Sequence, residues 1–358
     1  MKFSTFNVEN LFTRPKAMNL SKVDLGTEKL AIIADLQDEL AQSSYDKPKI
    51  ANLANQVRGY FSINKTRGRT PLSWDKSIES YKVTVNGRDS WDGFIELKRD
   101  NFDFATVKNT GRFMRKIDAD VFGICEIENI SAMRKFRSNQ LSRMDLDYEL
   151  LVDGNDSRGI DIGIYSRFPI GLLRTNIHHK SSNRARRTFS RDCLEVEILL
   201  PSGNSLWILQ NHLKSKLGKQ STSDARRKKQ ADRIADILNE SYDLNNDFVI
   251  VSGDLNDTPE RNPLSALLSH PGLEDVLNVI DLPADQRWTY EYKGDLNQID
   301  YILVSNALAG HVTDAGVDRT GMANLADFTN GAEQSMSGIT NWRNAASDHG
   351  AVWADFDI

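Results

Sequence analysis

The sequence is poor in cysteine, in long apolar runs and in surplus positive charge. Its two cysteines, Cys125 and Cys193, each lie inside an apolar strand-like run and read as buried thiols. They allow no disulfide framework and no zinc-type spacing. No uninterrupted apolar segment approaches the ~20 residues needed to cross a bilayer, which argues against a membrane partner. The N-terminus, MKFSTFNVEN, enters a strand pattern at once and lacks the apolar core of a signal segment. The expected location is therefore cytoplasmic, secretion requiring a signal already removed. A net charge of −5 excludes a global pull towards nucleic acid. With 358 residues, 39% hydrophobic and 27% charged, the chain suits one large α/β domain or two smaller ones. A monomer is expected, without internal repeats.

What is present is unevenly placed. Five cations and no acid occupy Lys180 to Arg191, and eight cations face only Asp224 and Asp232 between Lys214 and Arg233. Such runs often form no more than a solvated face. They matter here because they flank the stretch Phe248 to Pro259, FVIVSGDLNDTP. A β-branched apolar run stops at Ser252-Gly253, and Asp254 and Asn256 follow. Residues at i and i+2 of an extended chain point to one side, so a carboxylate and a carboxamide reach the lip of a buried strand together.

Other strand ends are built alike. Lys2 to Val8 ends in Asn7 and Glu9, and Asp120 to Ile124 delivers Glu126 and Glu128. Leu206 to Leu213 places His212 at its end, DYILVS begins with Asp300, and Asp348-His349 precede the closing strand Ala351 to Ile358. Further strands are expected at Tyr148 to Val152, Ile160 to Tyr165 and Cys193 to Leu200, with helices at Phe104 to Ile117 and Asp224 to Leu238. Residues from about 14 to 100 read as an insertion within a single 1–358 domain. It should contain helices at Glu28 to Gln42 and Ile50 to Tyr60, a loop at Asn64 to Ser73, and a hairpin turning at Asn86-Gly87.

Each strand-end residue has a plain structural explanation when taken alone, Asp348-His349 as a turn and His212 as a satisfied strand histidine. Together they form an oxygen-rich set with two histidines and no Cys/His cluster. Converging carboxylates repel one another unless a proton or a cation compensates, and this set favours a hard ion, Mg²⁺ or Mn²⁺. Histidines titrating near neutrality add acid/base groups. The combination fits hydrolysis of a phosphoester.

The ordered motifs FNVEN, ICEIEN, NHLKSK, SGDLNDTP, IDYILVS and SDH resemble the endonuclease/exonuclease/phosphatase superfamily, the deoxyribonuclease-I-like fold, and specifically its bacterial nuclease branch. The resemblance implies a four-layer α/β/β/α sandwich of two mixed, mainly antiparallel sheets. It makes Glu126 the principal metal ligand, with Glu9 and Asp348, and Mg²⁺ the cofactor, with Mn²⁺ or Ca²⁺ as substitutes. Asp254 would orient the attacking water, aided by Asn256 and Asn7. His349, held by Asp300, would contact the scissile phosphate, and His212 would stabilise the transition state or protonate the leaving oxygen. Arg191, in FSRDCLEVEI, would approach a substrate phosphate. Arg187, Lys214 and Arg158 are the other candidate substrate-binding cations. Two points depart from the pattern. Cys125 stands where the family usually has glutamine, and Asp161, in RGID, is chosen here as the carboxylate orienting His212. The resulting expectation is a metal-dependent endonuclease acting on DNA and also RNA. The alternative is a phosphoesterase on a small or lipid substrate, such as a phosphoinositide phosphatase or a sphingomyelinase-like enzyme.

Overall fold

Two six-stranded sheets lie face to face in the computed structural model, which describes residues 1–9, 13–20, 23–101, 104–156, 159–180, 187–216 and 219–358. The first sheet runs in the order Val312–Asp318, Ala351–Phe356, Lys2–Asn7, Val121–Ile127, Asp161–Ser166, Tyr148–Val152. The second runs Ile170–Thr175, Cys193–Leu199, Ser205–His212, Phe248–Asp254, Asp300–Ser305, Leu273–Asp275. Each sheet has one parallel pair at its centre, and the remaining pairings are antiparallel. Lys2–Asn7 runs parallel to Val121–Ile127, and Ser205–His212 runs parallel to Phe248–Asp254. A parallel pair needs a crossover connection. The helix Phe104–Ile117 lies in the first crossover and Gln220–Ser241 forms the second.

The central strands are buried on both faces, which explains their continuous apolar runs. Ile250 and Ile302 face the other sheet, where they join Phe3, Val121 and Ile164 in one core. Val249, Val251 and Leu303 point outwards onto Ala231, Ile234 and Leu238 of Gln220–Ser241. On the far side, Phe6, Phe122 and Ile124 pack against Phe113 and Met114 of Phe104–Ile117 and against Met133 and Phe136 of Ile130–Gln140. These three clusters make the four layers, helix on sheet on sheet on helix. Among the described residues no helix is long and apolar enough to cross a membrane.

The chain divides into two units. Met1–Phe12, Phe102–Lys216 and Ser221–Ile358 form one, and Thr13–Asn101 with Leu217–Gln220 form the other. The second unit has its own core, in which Ile33, Leu36 and Leu40 of the helix Val23–Leu40 meet Ile50 and Ala54 of Lys47–Gln56 and the strand residues Phe61, Ile95 and Leu97. Two sequence expectations fail in this unit. The segment Asn64 to Gly68, expected as loop, continues the strand Phe61–Gly68, which pairs with Trp91–Leu97. Residues 65–68 are exposed and carry no alternating apolar side chains, so side-chain pattern does not reveal the strand. The hairpin also turns elsewhere. Leu72–Asp75 pairs with Ser80–Val83 through Lys76 to Glu79, with Glu79 at φ +44°. Gly87 is extended, and a Cβ there would lie 1.9 Å from the Ser43 carbonyl oxygen. Close backbone approach, not a turn, explains that glycine.

Gly253 has a sharper requirement. Its φ is +123°, and a Cβ would stand 1.8 Å from the Asn211 carbonyl oxygen on the parallel neighbour. Gly253→Ala should cost about 3 kcal/mol or more, or prevent folding, because strain and a backbone clash combine. Gly203 also has a positive φ, +87°, but nothing lies within 4 Å of its would-be Cβ. Gly203→Ala should cost only about 1 kcal/mol. Urea unfolding of both variants checks this contrast, and similar midpoints would remove the crowding argument.

Candidate functional site

The carboxyl ends of both parallel pairs meet at one rim. The register sets Asn7 beside Cys125 in one sheet and His212 beside Asp254 in the other. Asp254 also pairs with Asp300 of the antiparallel neighbour. This places the strand-end groups within a small volume without any long loop.

Asp254 is the hub. Its Oδ2 accepts from Asn7 Nδ2 at 3.2 Å and lies 3.4 Å from His212 Nε2. Its Oδ1 accepts from the Asn256 backbone N–H at 2.8 Å. His212 Nε2 is also 3.8 Å from Glu126 Oε1. Burial pushes the Asp254 carboxyl up to about 7, and the charges of Asp300 and Glu126 push the same way, against His349 and the Asn256 amide.

His349 forms the second half of the site. Its Nδ1 lies 2.8 Å from Asp300 Oδ2, and both groups are buried. A carboxylate only accepts, so Nδ1 carries the proton of this bond and Nε2 faces the rim. Burial alone lowers the imidazole, but the charges of Asp300, Asp348 and Asp254, with the Asp300 hydrogen bond, hold it well above its ordinary range. Ser347 locks the segment in place: its hydroxyl donates to the Asn7 carbonyl at 2.7 Å and accepts from the His349 N–H at 3.0 Å.

Three residues of the rim occupy the left-handed region that non-glycine residues rarely adopt: Glu9 at φ +48°, Glu126 at +64° and Asn256 at +58°. Glu9 and Asn256 stand just beyond the ends of their strands and Glu126 sits in a bulge of Val121–Ile127, so the strain re-aims each polar side chain at the sheet edge. Glu9 is further fixed by its own N–H, which donates to Asn7 Oδ1 at 3.0 Å.

The sequence candidates separate at this point. The structure brings together Asn7, Glu126, His212, Asp254, Asn256, Asp300 and His349, with Glu9 and Asp348 on the adjoining segments. Asp161 pairs with Ile127 in the sheet, and its Oδ1 accepts from the Gly154 N–H at 2.8 Å. Burial first, then Asp153 and Asp156, push its carboxyl up to about 7, while the Gly154 N–H works against them. Arg191 is buried, with its guanidinium Nε 3.2 Å from Asp156 and Nη1 donating to the Leu213 carbonyl at 3.0 Å. Asn256 Nδ2 donates to that same carbonyl at 3.2 Å, so Arg191 braces the end of the His212 strand from inside the fold. Arg187 is exposed and donates to Asn155 Oδ1. Lys214 donates from its ammonium to the Ser215 carbonyl at 3.2 Å. Arg158, like Arg184 and Arg186, lies outside the described residues. In the second cationic run Arg227 is fully buried between Asp257 and Asp224, so it belongs to an internal ion-pair network.

Sequence reading missed three residues. Tyr290 lies against His349, with ring centroids 4.8 Å apart, and Asp348, Glu9 and Asp254 all raise its hydroxyl after burial has done so. Gln210 crosses between the sheets, donating from Nε2 to Cys125 Sγ and to Thr5 Oγ1, each at 3.3 Å. It restores an amide beside the position where Cys125 replaces the usual glutamine. Gly123 makes room for it, since a Cβ there would lie 2.1 Å from Gln210 Oε1. Ser347 is the third. Ser347 opens the SDH motif and was available there, whereas Tyr290 and Gln210 could be found only from the non-local register.

The donor chemistry fits a divalent cation. Glu126 raises Asp254, while Glu9, Asp348 and Asp254 act together on Tyr290, so four carboxylates share one partly buried spot. An oxygen-only set with that excess of negative charge suits Mg²⁺ or Mn²⁺. Asp254, Asp300 and His349 also offer ligand atoms within 4.8 Å of one another. Two of these groups, Asp300 and His349, are already hydrogen-bonded to each other, which favours a proton-handling role for them.

The family model described as the Endonuclease/Exonuclease/phosphatase family matches residues 77–336. That span holds Glu126, His212, Asp254 and Asp300 and leaves Asn7, Glu9, Asp348 and His349 outside. No curated protein sequence matches the chain significantly. Among solved structures, D. rerio TDP2 complexed with a single-strand DNA product is 16% identical, with 72% of this chain and 94% of that one covered and a TM-score of 0.50. An AP endonuclease from Archaeoglobus fulgidus is 17% identical, with 71% and 95% covered and a TM-score of 0.50. An endonuclease/exonuclease/phosphatase protein from Bacteroides vulgatus is 14% identical, with 71% and 90% covered and a TM-score of 0.50. At these identities the likeness is one of fold, deoxyribonuclease-I-like.

Two predictions arise from the site. Asn256→Gly and Asn256→Ala keep the backbone N–H that holds Asp254 but both delete the carboxamide on the Leu213 carbonyl at the end of the His212 strand, so they should lose activity equally, by about tenfold. The alanine variant should be the less stable of the two by about 1 kcal/mol, since glycine adopts positive φ freely. Thermal unfolding beside a rate assay separates strain from chemistry, and full activity in the glycine variant would leave the amide without a role. The second concerns Asp161, whose folded value of about 7 lies above the unfolded one near 3.8. A group raised in this way binds more protons when folded, so its stabilisation is complete below about pH 4 and disappears as pH rises through 7. Asp161→Asn should flatten that loss. Urea midpoints between pH 4 and pH 8 that fall equally in both proteins would contradict the assignment.

Proposed function

This chain belongs to the endonuclease/exonuclease/phosphatase family, and from that membership we propose that it is a divalent-metal-dependent nuclease cutting DNA and also RNA within the chain. The observation that carries the proposal is the setting of Asp254. One buried carboxylate is held by Asn7 at 3.2 Å, stands 3.4 Å from His212, and shares its pocket with the Asp300–His349 pair. A family neighbour, D. rerio TDP2, holds a single-strand DNA product, which favours a nucleic acid over a small ester.

In this reading Glu126, Glu9 and Asp348 hold the cation. When bound, it offsets their charge and neutralises the phosphate oxygens. Asp254 orients a water for in-line attack on phosphorus, with Asn7 and Asn256 fixing the direction of its two oxygens. The water oxygen bonds to phosphorus as the bond to the leaving oxygen breaks, and the water's proton passes to the ionised Asp254 carboxylate. His349, cationic against Asp300, presents its Nε2 proton to a non-bridging phosphate oxygen. His212, within reach of both Asp254 and Glu126, supplies a proton to the departing oxygen. Asp161 remains a proposal for a more distant support of this rim, acting through the 153–156 loop and Arg191. The substrate cations in this reading are Arg187, Lys214 and Arg158, with Arg191 and Arg227 occupied inside the fold.

Digestion of circular single- and double-stranded DNA tests the proposal, since circles have no ends for an exonuclease. Millimolar Mg²⁺ should produce linear and then fragmented product, and EDTA should stop it. His349→Ala should slow cleavage by about 10²–10⁴-fold, and Glu126→Ala should abolish rescue by added Mg²⁺. Intact circles alongside turnover of sphingomyelin or an inositol phosphate would transfer the same site to the lipid or small-ester class.

A further inference from the structure

The unit Thr13–Asn101 carries charge that its near-neutral composition hides. Acids concentrate on the helix Val23–Leu40, with Asp24, Glu28, Asp35, Asp38 and Glu39. From Lys47 to Trp74 there are six cations and no acid. Two of the six are engaged within the unit: Lys49 pairs with Glu39 at 2.6 Å, and Arg58 lies 3.6 Å over the Trp74 ring. Three others, Lys65, Arg67 and Arg69, fall in the segment 65–70, KTRGRT, every residue of which is exposed.

Their spacing places them on one exposed edge. The register shift between Lys65 and Arg67 sets Lys65 opposite Gly93 and Arg67 opposite Asp92, neighbouring residues of the partner strand, so the cations project from both faces of the ribbon. The backbone of this edge is rigid. Gly68 has φ +78°, and a Cβ there would stand 2.4 Å from the Ser90 carbonyl oxygen. Gly93, facing Lys65, has φ +146° and would clash with the Asn64 carbonyl oxygen at 2.1 Å. Close backbone contact therefore fixes the chain that carries the cations before any partner arrives, which lowers the ordering cost of binding. Their internal contacts are weak. Arg67 is 4.0 Å from Asp92 with both side chains mostly in water, a pairing worth little. Lys65 donates only to the Gly68 carbonyl, at 3.2 Å.

Two clefts flank Gly68. One, of about 230 Å³, joins Arg67 and Arg88 to Ser90 and Trp91 but includes the acids Asp89 and Asp92. The other, of about 330 Å³, is lined by Arg69, Thr84, Val85, Asn86 and Ser90 and contains no acid. A guanidinium surrounded by hydroxyl and amide groups is suited to phosphate oxygens. Phe94, opposite Asn64 on the partner strand, is 48% exposed and offers a ring on which a base can stack. The segment 65–70 itself has no apolar side chain to enter a bilayer.

We propose that the edge Lys65–Thr70, with the Arg69 cleft, is a docking strip for a nucleic-acid backbone. The choice of nucleic acid rests on the nuclease reading of the main site, but the binding itself does not depend on catalysis. The test uses the full chain in EDTA, so that nothing is cut, with a fluorescein-labelled 30-nucleotide single strand and its duplex. Lys65→Ala/Arg67→Ala/Arg69→Ala should bind at least tenfold more weakly at about 0.1 M KCl. Its log–log salt slope should fall by about 2–3, since each lost phosphate contact removes roughly 0.7–0.9. An unfolding midpoint within about 2 °C of wild type establishes that the variant is folded. Unchanged affinity and slope would overturn the strip, as would an equal loss in Arg134→Ala/Lys135→Ala/Arg143→Ala, which removes the same charge elsewhere. A loss confined to phosphatidylserine vesicles would assign the strip to a membrane instead and also overturn it. Wild-type protein that binds DNA through the strip but hydrolyses neither DNA nor bis(4-nitrophenyl) phosphate with Mg²⁺ would refute the nuclease reading alone.

Discussion

The rim of the sandwich is organised by the burial of one carboxylate. Asp254 is 2% exposed, and an ionised group there is costly unless hydrogen bonds and opposite charge compensate it. Compensation comes from both sheets. Asn7 donates from one sheet, the Asn256 amide from the other, and His212 and His349 supply imidazoles. Burial first, and then the charges of Asp300 and Glu126, work in the opposite direction and push the carboxyl up to about 7. The inter-sheet core therefore does more than stabilise. Because Asn7 and Asp254 lie on different sheets, the packing of Phe3, Val121, Ile250 and Ile302 fixes a hydrogen bond between them.

Strain at the rim has the same origin. Glu9, Glu126 and Asn256 each hold a left-handed backbone, at about 1–2 kcal/mol apiece for ordinary residues. Local sequence would not choose this, and the surrounding packing imposes it. Beneath them the buried polar network of Gln210, Cys125, Thr5 and Ser252 ties the sheets together, with Ser252 Oγ donating to Gln210 Oε1 at 2.6 Å. Such a network allows few alternative registers, because a slip would leave buried polar groups unmatched. Stability is thus concentrated in the layers while the edge carries the distortion that aims its side chains.

The layers were legible in the sequence because their physics is local. A strand buried on both faces reads as FVIV or DYILVS, and an amphipathic crossover such as Phe104–Ile117 displays its own period. The strand-end residues were legible for a related reason, since a polar residue directly after such a run can only emerge at the sheet's lip. Legibility ended where partners are remote in the chain. Nothing near Tyr290 announces that it lies against His349, and nothing in RWTY reveals that Thr289 Oγ1 accepts from the Asp300 N–H at 3.2 Å. The exposed strand Asn64 to Gly68 was invisible for the opposite reason. Its glycine, threonine and basic residues are those of a loop, and only the pairing with Trp91–Leu97 makes it a strand.

Charge was the least legible property, and the reason is general. A run of cations states how much charge is present but not how much is already compensated. Arg191 lies in a stretch with five cations and no acid, yet the fold brings Asp156 to 3.2 Å from its guanidinium and removes it from solvent. Arg227 is treated likewise by Asp257, thirty residues away and just beyond the Asp254 strand. The most cationic parts of the sequence are thus partly consumed in holding the site's own scaffold together. The shorter run at 65–69 lies on a strand edge, where Asp92, the acid paired with Arg67, is itself in water. Effective charge towards a partner is set by which carboxylates the tertiary structure brings within about 4 Å and by how dry that contact is. By that measure, Lys65, Arg67 and Arg69 count for more towards a partner than Arg191 and Arg227, which are already bound inside the fold.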